Sequence, residues 1–220
     1  MTQSKLMENE QFLNQNDFYQ IVLGRRSVKS YDPSVRISRE EMAEILEEAT
    51  RAPSSVNMQP WRFVVIETPE GKEKLAKLAR FNQTQVSTSS AMIAVFGDMK
   101  SVEYAEDIYS KQVELGYMPQ EVKEQLLAAF KPSYENMPQR DMRDVVLIDS
   151  GLVCMQLMLV ARAHGYDTNP IGGYEKDQIA EAFGLDKDRY VPVMLISVGK
   201  AASEGYPSYR LPVETVTTWV

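Results

Sequence analysis

The chain of 220 residues contains one histidine, His164, and one cysteine, Cys154. No zinc site of the usual composition and no internal disulfide can be built from that pair, and a Ser-His-Asp or Cys-His arrangement would have to rest on His164 alone. No metal is therefore assigned. Positive charge is also short: 24 Lys and Arg face 31 Asp and Glu, a net of -7. That balance argues against nucleic acid or an anionic membrane as partner, since both need a broad basic surface. The longest apolar run, Gly151 to Ala163, contains Gln156 and Arg162 and follows Asp149. It reads as a buried helix that falls short of a membrane span. The opening "MTQSKLMENEQFLNQNDFYQ" has no apolar core of a signal peptide, so a cytoplasmic location is expected.

What is present describes a folded protein: 44% hydrophobic, 25% charged, with 11 Gly and 11 Pro. The length suits one domain. Residues 1–16, polar and rich in Asn and Gln, are expected to form a flexible tail, and residues 17–220 a single domain.

Along the chain, "ISREEMAEILEEATRAP" offers Ser38 as N-cap and Glu41 three residues later, then Met42, Ile45, Leu46 and Ala49 at helical spacing. "WRFVVIE" from Trp61 reads as a strand, Thr68 and Pro69 open a helix, and "AMIAVFG" is a second strand. Ser101 to Lys131 is helical with a break around Gly116 to Pro119, and precedes a loop holding Pro132 and Pro138. This acidic insertion is placed to cover a site. Arg140 to His164 forms a long helix, apolar on nearly all sides, ending at Gly165; such a helix is central or lies at a subunit interface. A short helix from Glu175 to Phe183 and a strand "VPVMLISVG" follow. No G-x-G-x-x-G follows the first strand, so a Rossmann fold is disfavoured and an α+β layer structure is expected.

Elimination leaves cofactor chemistry. His164, at a helix end, suits a structural imidazole or a cation at a helix C-terminus better than a base. Cys154, among Val153, Met155 and Leu157, suits a buried thiol, and no carboxylate pair stands out. Against the acidic whole, "LGRRSVKSYDP" is locally basic: Arg25, Arg26, Lys29, Arg36 and Arg39 face Asp32 alone between Gly24 and Arg39. Arginines beside Ser27 can grip a phosphate while Lys29 reaches another part of the same ligand; the alternative is a solvated basic patch. "APSSVNMQPW" concentrates hydroxyls and amides suited to the edge of a heteroaromatic ring. "NPIGGY" lets bare backbone approach a flat ligand, or is an ordinary turn. Arg210 in "YPSYRLP" is a candidate second phosphate ligand.

Taken together, "RRSVKSYDP", "APSSVNMQPWRFVVI", "NPIGGY" and "VGKAASEGYPSYRLP" resemble the FMN-dependent nitroreductase family, with "FNQTQV", "GYMPQE" and "ARAHGYDTNPIGGY" pointing to its bacterial NAD(P)H nitroreductases. The resemblance implies an α+β sandwich, a central mostly antiparallel sheet flanked by helices, in a homodimer with a swapped C-terminal tail and FMN at the subunit interface. By position it implies Arg25, Ser27 and Arg210 at the phosphate and ribityl groups, with Arg26 nearby. Lys29 would reach the flavin N1 and C2 carbonyl edge, and Asn82, with Gln85, the pyrimidine edge. Pro53, Ser54, Ser55 and Asn57 would come from the partner subunit. Backbone at Pro170, Ile171, Gly172 and Gly173 would lie against the isoalloxazine, one N–H donating to N5.

Two positions depart from the family pattern: Gly172 stands where many relatives carry an acidic residue, and Ser208 where some carry lysine. The activity implied is reduction of nitroaromatics, quinones or related acceptors by NADH or NADPH in a ping-pong cycle, with no essential acid or base and Lys29 as electrostatic stabiliser. A flavin-storage protein, or a dehalogenase or flavin-fragmenting member of the superfamily, is the alternative. Tyr104, Tyr109, Tyr117 and Phe130 in the insertion are candidates either for stacking on a substrate or for packing.

Overall fold

The computed structural model describes residues 18–220, so the expected tail at 1–16 and the domain start at residue 17 lie outside the described residues. The scaffold is one four-stranded sheet made of β1 (Trp61–Ile66), β2 (Ala91–Asp98), β3 (Asp167–Ile171) and β4 (Tyr190–Gly199), in the order β1-β2-β4-β3. Every adjacent pair is antiparallel. A parallel bridge from Ser27 to Thr168 extends the sheet beyond β3. Among the described residues parallel pairing is thus confined to one bridge, and the Rossmann alternative is excluded.

β2 is buried along its whole length because both of its faces are covered. Ile93 and Val95 point to one face, where they pack with Ile45 of α2 (Arg39–Ala49) and with Val153 and Leu157 of α7 (Gln139–Ala163). Met92, Ala94 and Phe96 point to the other, against Leu75 of α3 (Pro69–Leu78), Val86 of α4 (Gln83–Thr88) and Ile179 of α8 (Lys176–Ala182). The period of two along one strand therefore serves two helical layers. A third cluster joins Tyr109 of α5 (Ala105–Glu114) and Tyr134 of α6 (Gln120–Glu135) to Val146 of α7.

The local signals act as expected at several ends. Ser38 Oγ accepts the Glu41 N–H at 3.1 Å, and Thr68 Oγ1 accepts the Gly71 N–H at 3.1 Å with Pro69 in the first turn. Among the described residues the Glu41 carboxylate does not complete a reciprocal capping box; it accepts a hydrogen bond from Tyr166 Oη at 2.8 Å. α7 closes in a Schellman motif: Tyr166 N–H reaches Ala161 O, Gly165 N–H reaches Arg162 O, and Gly165 takes φ +83°.

Three expectations need correction. Pro132 lies inside α6, where tertiary packing of Tyr134 carries the helix past it. "DTNPI" is a strand, because β3 is the edge of the four-stranded sheet and an edge tolerates a residue that cannot donate. By length and composition α7 does reach what a membrane span needs. Among its residues Met142, Val146, Val153, Cys154 and Leu157 are nonetheless buried against the sheet and neighbouring helices.

Candidate functional site

α1 (Phe18–Gly24) ends at the basic stretch, and an extended segment follows. Val28 N–H donates to Thr168 O at 3.1 Å, which lays this segment along the free edge of β3. Along it Val28 and Tyr31 are buried, while Ser27 and Lys29 are exposed. Tyr31 locks the register, donating to Val28 O at 2.7 Å and pairing with Ser197 Oγ at 2.7 Å. Lys29 has no hydrogen-bond or ion-pair partner among the described residues.

The chain returns to the same place after β4. Ala201 bridges Tyr31, Ala202 N–H donates to Ser30 O at 3.0 Å, and the tail runs antiparallel over the basic segment. This delivers Arg210 to Arg25. The Arg25 guanidinium is lowered from its ordinary pKa, first by burial and then by the charges of Arg210, Arg26 and Arg162. Its Nη1 is buried without a hydrogen-bond partner among the described residues. Like charges held together around a desolvated, unsatisfied donor make a site for an anion.

The other members of the cluster are anchored. Arg26 Nη1 donates to Leu23 O at 2.7 Å, closing the end of α1. Arg162 pairs with Asp167 at 2.7 Å. Arg162 is a residue the motifs missed; its one signal was a cation within the apolar run. A cleft of about 530 Å³ lies here, lined by Gly24, Arg26, Arg162, Asp167 and Gly205.

β3 then ends at Gly172 and Gly173, both exposed, where an added Cβ would meet nothing within 4 Å. This backbone faces open space and is joined to the α3–α4 junction: Glu175 N–H donates to Leu78 O at 3.0 Å, and Arg80 lies 3.8 Å from Glu175. Asn82 stands at that junction as the N-cap of α4, with no side-chain capping bond. Gln85 is buried one turn on. Thr88 Oγ1 accepts the Tyr31 N–H at 3.2 Å, which ties α4 to the basic segment. The edge of the sheet thus forms a rim carrying Arg25, Ser27, Lys29 and Arg210, with Pro170 and Ile171 on β3 and Gly172 and Gly173 just beyond it; α4, with Asn82 and Gln85, is tied to that rim through Thr88.

Pro53, Ser54, Ser55 and Asn57 stand elsewhere. Among the described residues no hydrogen bond or ion pair joins them to that rim; Ser55 is fastened to Asp149 on α7 and to Tyr134 on α6. Of the insertion aromatics, Phe130 packs between Tyr109 and Tyr134, with ring centres 5.5 and 5.7 Å away. Tyr104 lies beneath the Arg62 guanidinium, and Tyr117 is exposed. His164 lies at the end of α7, 3.2 Å from Glu48 and 3.9 Å from Glu41, as a structural imidazole would.

Residues 22–200 match the model of the Nitroreductase family. The chain belongs to the nitroreductase family. YdgI of Bacillus subtilis, which bears the name "Putative NAD(P)H nitroreductase", is 69% identical over 204 residues, covering 93% of this chain and 98% of the relative. The crystal structure of "a putative nitroreductase in complex with FMN" from Exiguobacterium sibiricum superposes with a TM-score of 0.91 at 66% identity, covering 93% of this chain and 97% of that one. The "CLA biosynthesis enone reductase" of Lactiplantibacillus plantarum is 40% identical over 206 residues, 93% of this chain and 95% of the relative. These family members point to an oxidoreductase, and the fold described above is that of the nitroreductase family.

Proposed function

We propose that the chain is an FMN-dependent NAD(P)H oxidoreductase acting on nitroaromatics, quinones or related electron-poor acceptors. The observation that carries this reading is the buried, unpartnered Nη1 of Arg25, set among Arg26, Arg162 and Arg210 on a rim that also presents open backbone at Gly172 and Gly173. That donor set fits a phosphate, and the bare backbone fits a flat ring.

Held there, FMN would supply the redox chemistry, two-electron exchange between NADH or NADPH and the acceptor in a ping-pong cycle. Arg25, Arg210 and Ser27 would hold the phosphate and ribityl groups, with Arg162 adding positive charge and Arg26 fixing the turn. Lys29, exposed and unpaired beside Ser27, would stabilise negative charge at the N1 and C2 carbonyl edge. Asn82, with Gln85 behind it, would read the pyrimidine edge, and backbone from Pro170 to Gly173 would line the ring. No side chain is required as a proton donor or acceptor.

Residues 17–220 would act as one FMN-binding domain in a homodimer, whose partner supplies Pro53, Ser54, Ser55 and Asn57. The surface supports that reading: Ile148, Leu152 and Met155 form an exposed apolar stripe at helical spacing on α7, and Tyr206, Tyr209 and Trp219 are exposed on the tail. A swapped tail would bury the latter. The enone reductase among the relatives adds conjugated enones to the acceptors worth testing.

The test is anaerobic: record the visible spectrum, add NADH or NADPH, then titrate with menadione, a nitrofuran and an enone. A yellow protein that bleaches and recovers with acceptor is expected. A yellow protein that neither donor bleaches would favour flavin storage, and a colourless protein that cannot be reconstituted would overturn the reading.

A further inference from the structure

The loop 54–59 has a backbone that its residues do not favour. Val56, Asn57 and Gln59 all have positive φ, at 42°, 57° and 47°. None is glycine, and Val56 is β-branched; conformations of this kind are costly and persist only where surroundings over-determine them. Part of the support is local: Gln59 N–H donates to Ser54 Oγ at 3.0 Å, and Asn57 N–H to Ser54 O at 3.1 Å.

The remainder comes from distant elements. Tyr109 on α5 donates to Val56 O at 3.1 Å, and Tyr134 on α6 donates to Ser55 Oγ. From α7, the Asp149 carboxylate accepts the Ser55 N–H at 3.0 Å. Asp149 is 5% exposed, and no cation pairs with it among the described residues. Burial raises its carboxyl above the ordinary pKa, with the Ser55 N–H pulling the other way. Burying a carboxylate without a cation costs stability. Here it makes a charge-assisted bond to backbone at the start of the strained turn.

We propose that Asp149 is a positioning residue for the flavin site: with Tyr134 it clamps Ser55, and the clamp holds loop 54–59 in the conformation that presents Ser54 and Asn57 to FMN. This rests on the reading above, in which that loop edges a flavin. It also gives the insertion a role: α5 and α6 are the backstop of the loop, with Phe130 wedged between the two tyrosines that hold it. The clamp would act on the partner's flavin, since within one chain no hydrogen bond joins the loop to the phosphate rim among the described residues.

The test compares flavin-saturated wild type, Asp149→Ala and Asp149→Asn by hydrogen exchange of the peptide spanning 54–59, and measures FMN dissociation by fluorescence quenching. In Asp149→Ala the peptide is expected to exchange at least tenfold faster, with β2 and β4 unchanged, and the FMN Kd to rise about tenfold. Asp149→Asn, which keeps an acceptor in place, is expected to return both to within threefold. Should Asp149→Ala not fold, Tyr134→Phe removes only the hydroxyl and is expected to loosen the same peptide about threefold. Wild-type exchange in whichever of the two variants folds overturns the clamp. A loosened loop with unchanged FMN affinity overturns the positioning role. Failure of wild type to bind FMN overturns the functional reading and the positioning role with it, whereas the exchange result still judges the clamp itself.

Discussion

Gly205 crosses Arg26 so closely that a Cβ on Gly205 would lie 2.4 Å from the Arg26 Cβ and 3.2 Å from the Ser27 carbonyl oxygen. That crossing carries the tail over the basic segment and brings Arg210 to Arg25.

Gly205→Ala is therefore expected to lift the tail and withdraw Arg210. The neighbouring atoms are Cβ and backbone, which cannot swing aside as a side-chain tip can. An FMN Kd raised about tenfold, or about 1.4 kcal/mol, is expected, with the thermal midpoint of the flavin-free protein little changed. An unchanged Kd would mean that the tail does not hold Arg210 in place.

Arg25 and Lys29 should separate binding from reactivity. Charge-assisted hydrogen bonds contribute about 1.5–3 kcal/mol, so Arg25→Ala is expected to raise the FMN Kd about 10- to 100-fold, with the loss largest at low salt. Lys29→Ala is expected to slow flavin reduction in stopped flow more than it weakens binding. Wild-type reduction by a fully loaded Lys29→Ala protein would remove that role.

Asp149 predicts a pH signature. Its carboxyl is raised by burial, so the native state takes up a proton at a pH where the unfolded chain does not, and the stability contributed by that proton is lost as pH rises through the raised value. Asp149→Asn, neutral at every pH, is expected to melt higher than wild type at pH 7. The gain should shrink as pH falls toward the ordinary carboxylate range. A difference independent of pH would show that the carboxyl titrates alike in the folded and unfolded chains.

Cys154 is 1% exposed and its thiol is pushed up to about 12 by burial. Ellman's reagent is expected to leave it unmodified at pH 8 in the native protein and to titrate one thiol in denaturant. Fast native reaction would mean that α7 opens readily from the sheet.

Local chemistry was legible wherever a signal and its consequence lie within a few residues. Ser38 and Thr68 capped their helices, Gly165 ended α7, and β1, β2 and β4 followed their apolar runs. β3 was not legible, because Pro170 argues against a strand unless the strand is known to lie at an edge. Pro132 misled for the opposite reason, since a loop signal was overridden by packing of Tyr134.

Sequence alone narrowed the class of chemistry: one histidine and one cysteine pointed away from metal and triad chemistry toward a cofactor, and a local excess of arginine in an acidic chain offered a candidate anion site. Only the tertiary structure decided which arginines meet. Arg162 joins Arg25 because α7 ends beside α1, and Arg210 joins because Gly205 admits a close crossing. Nor could the sequence pair Asp149 with Ser55, since the bond is made to a backbone N–H that every residue except proline carries. Side-chain identity encodes what a residue can do, whereas the pairing of a charge with a distant peptide group exists only once the chain has folded.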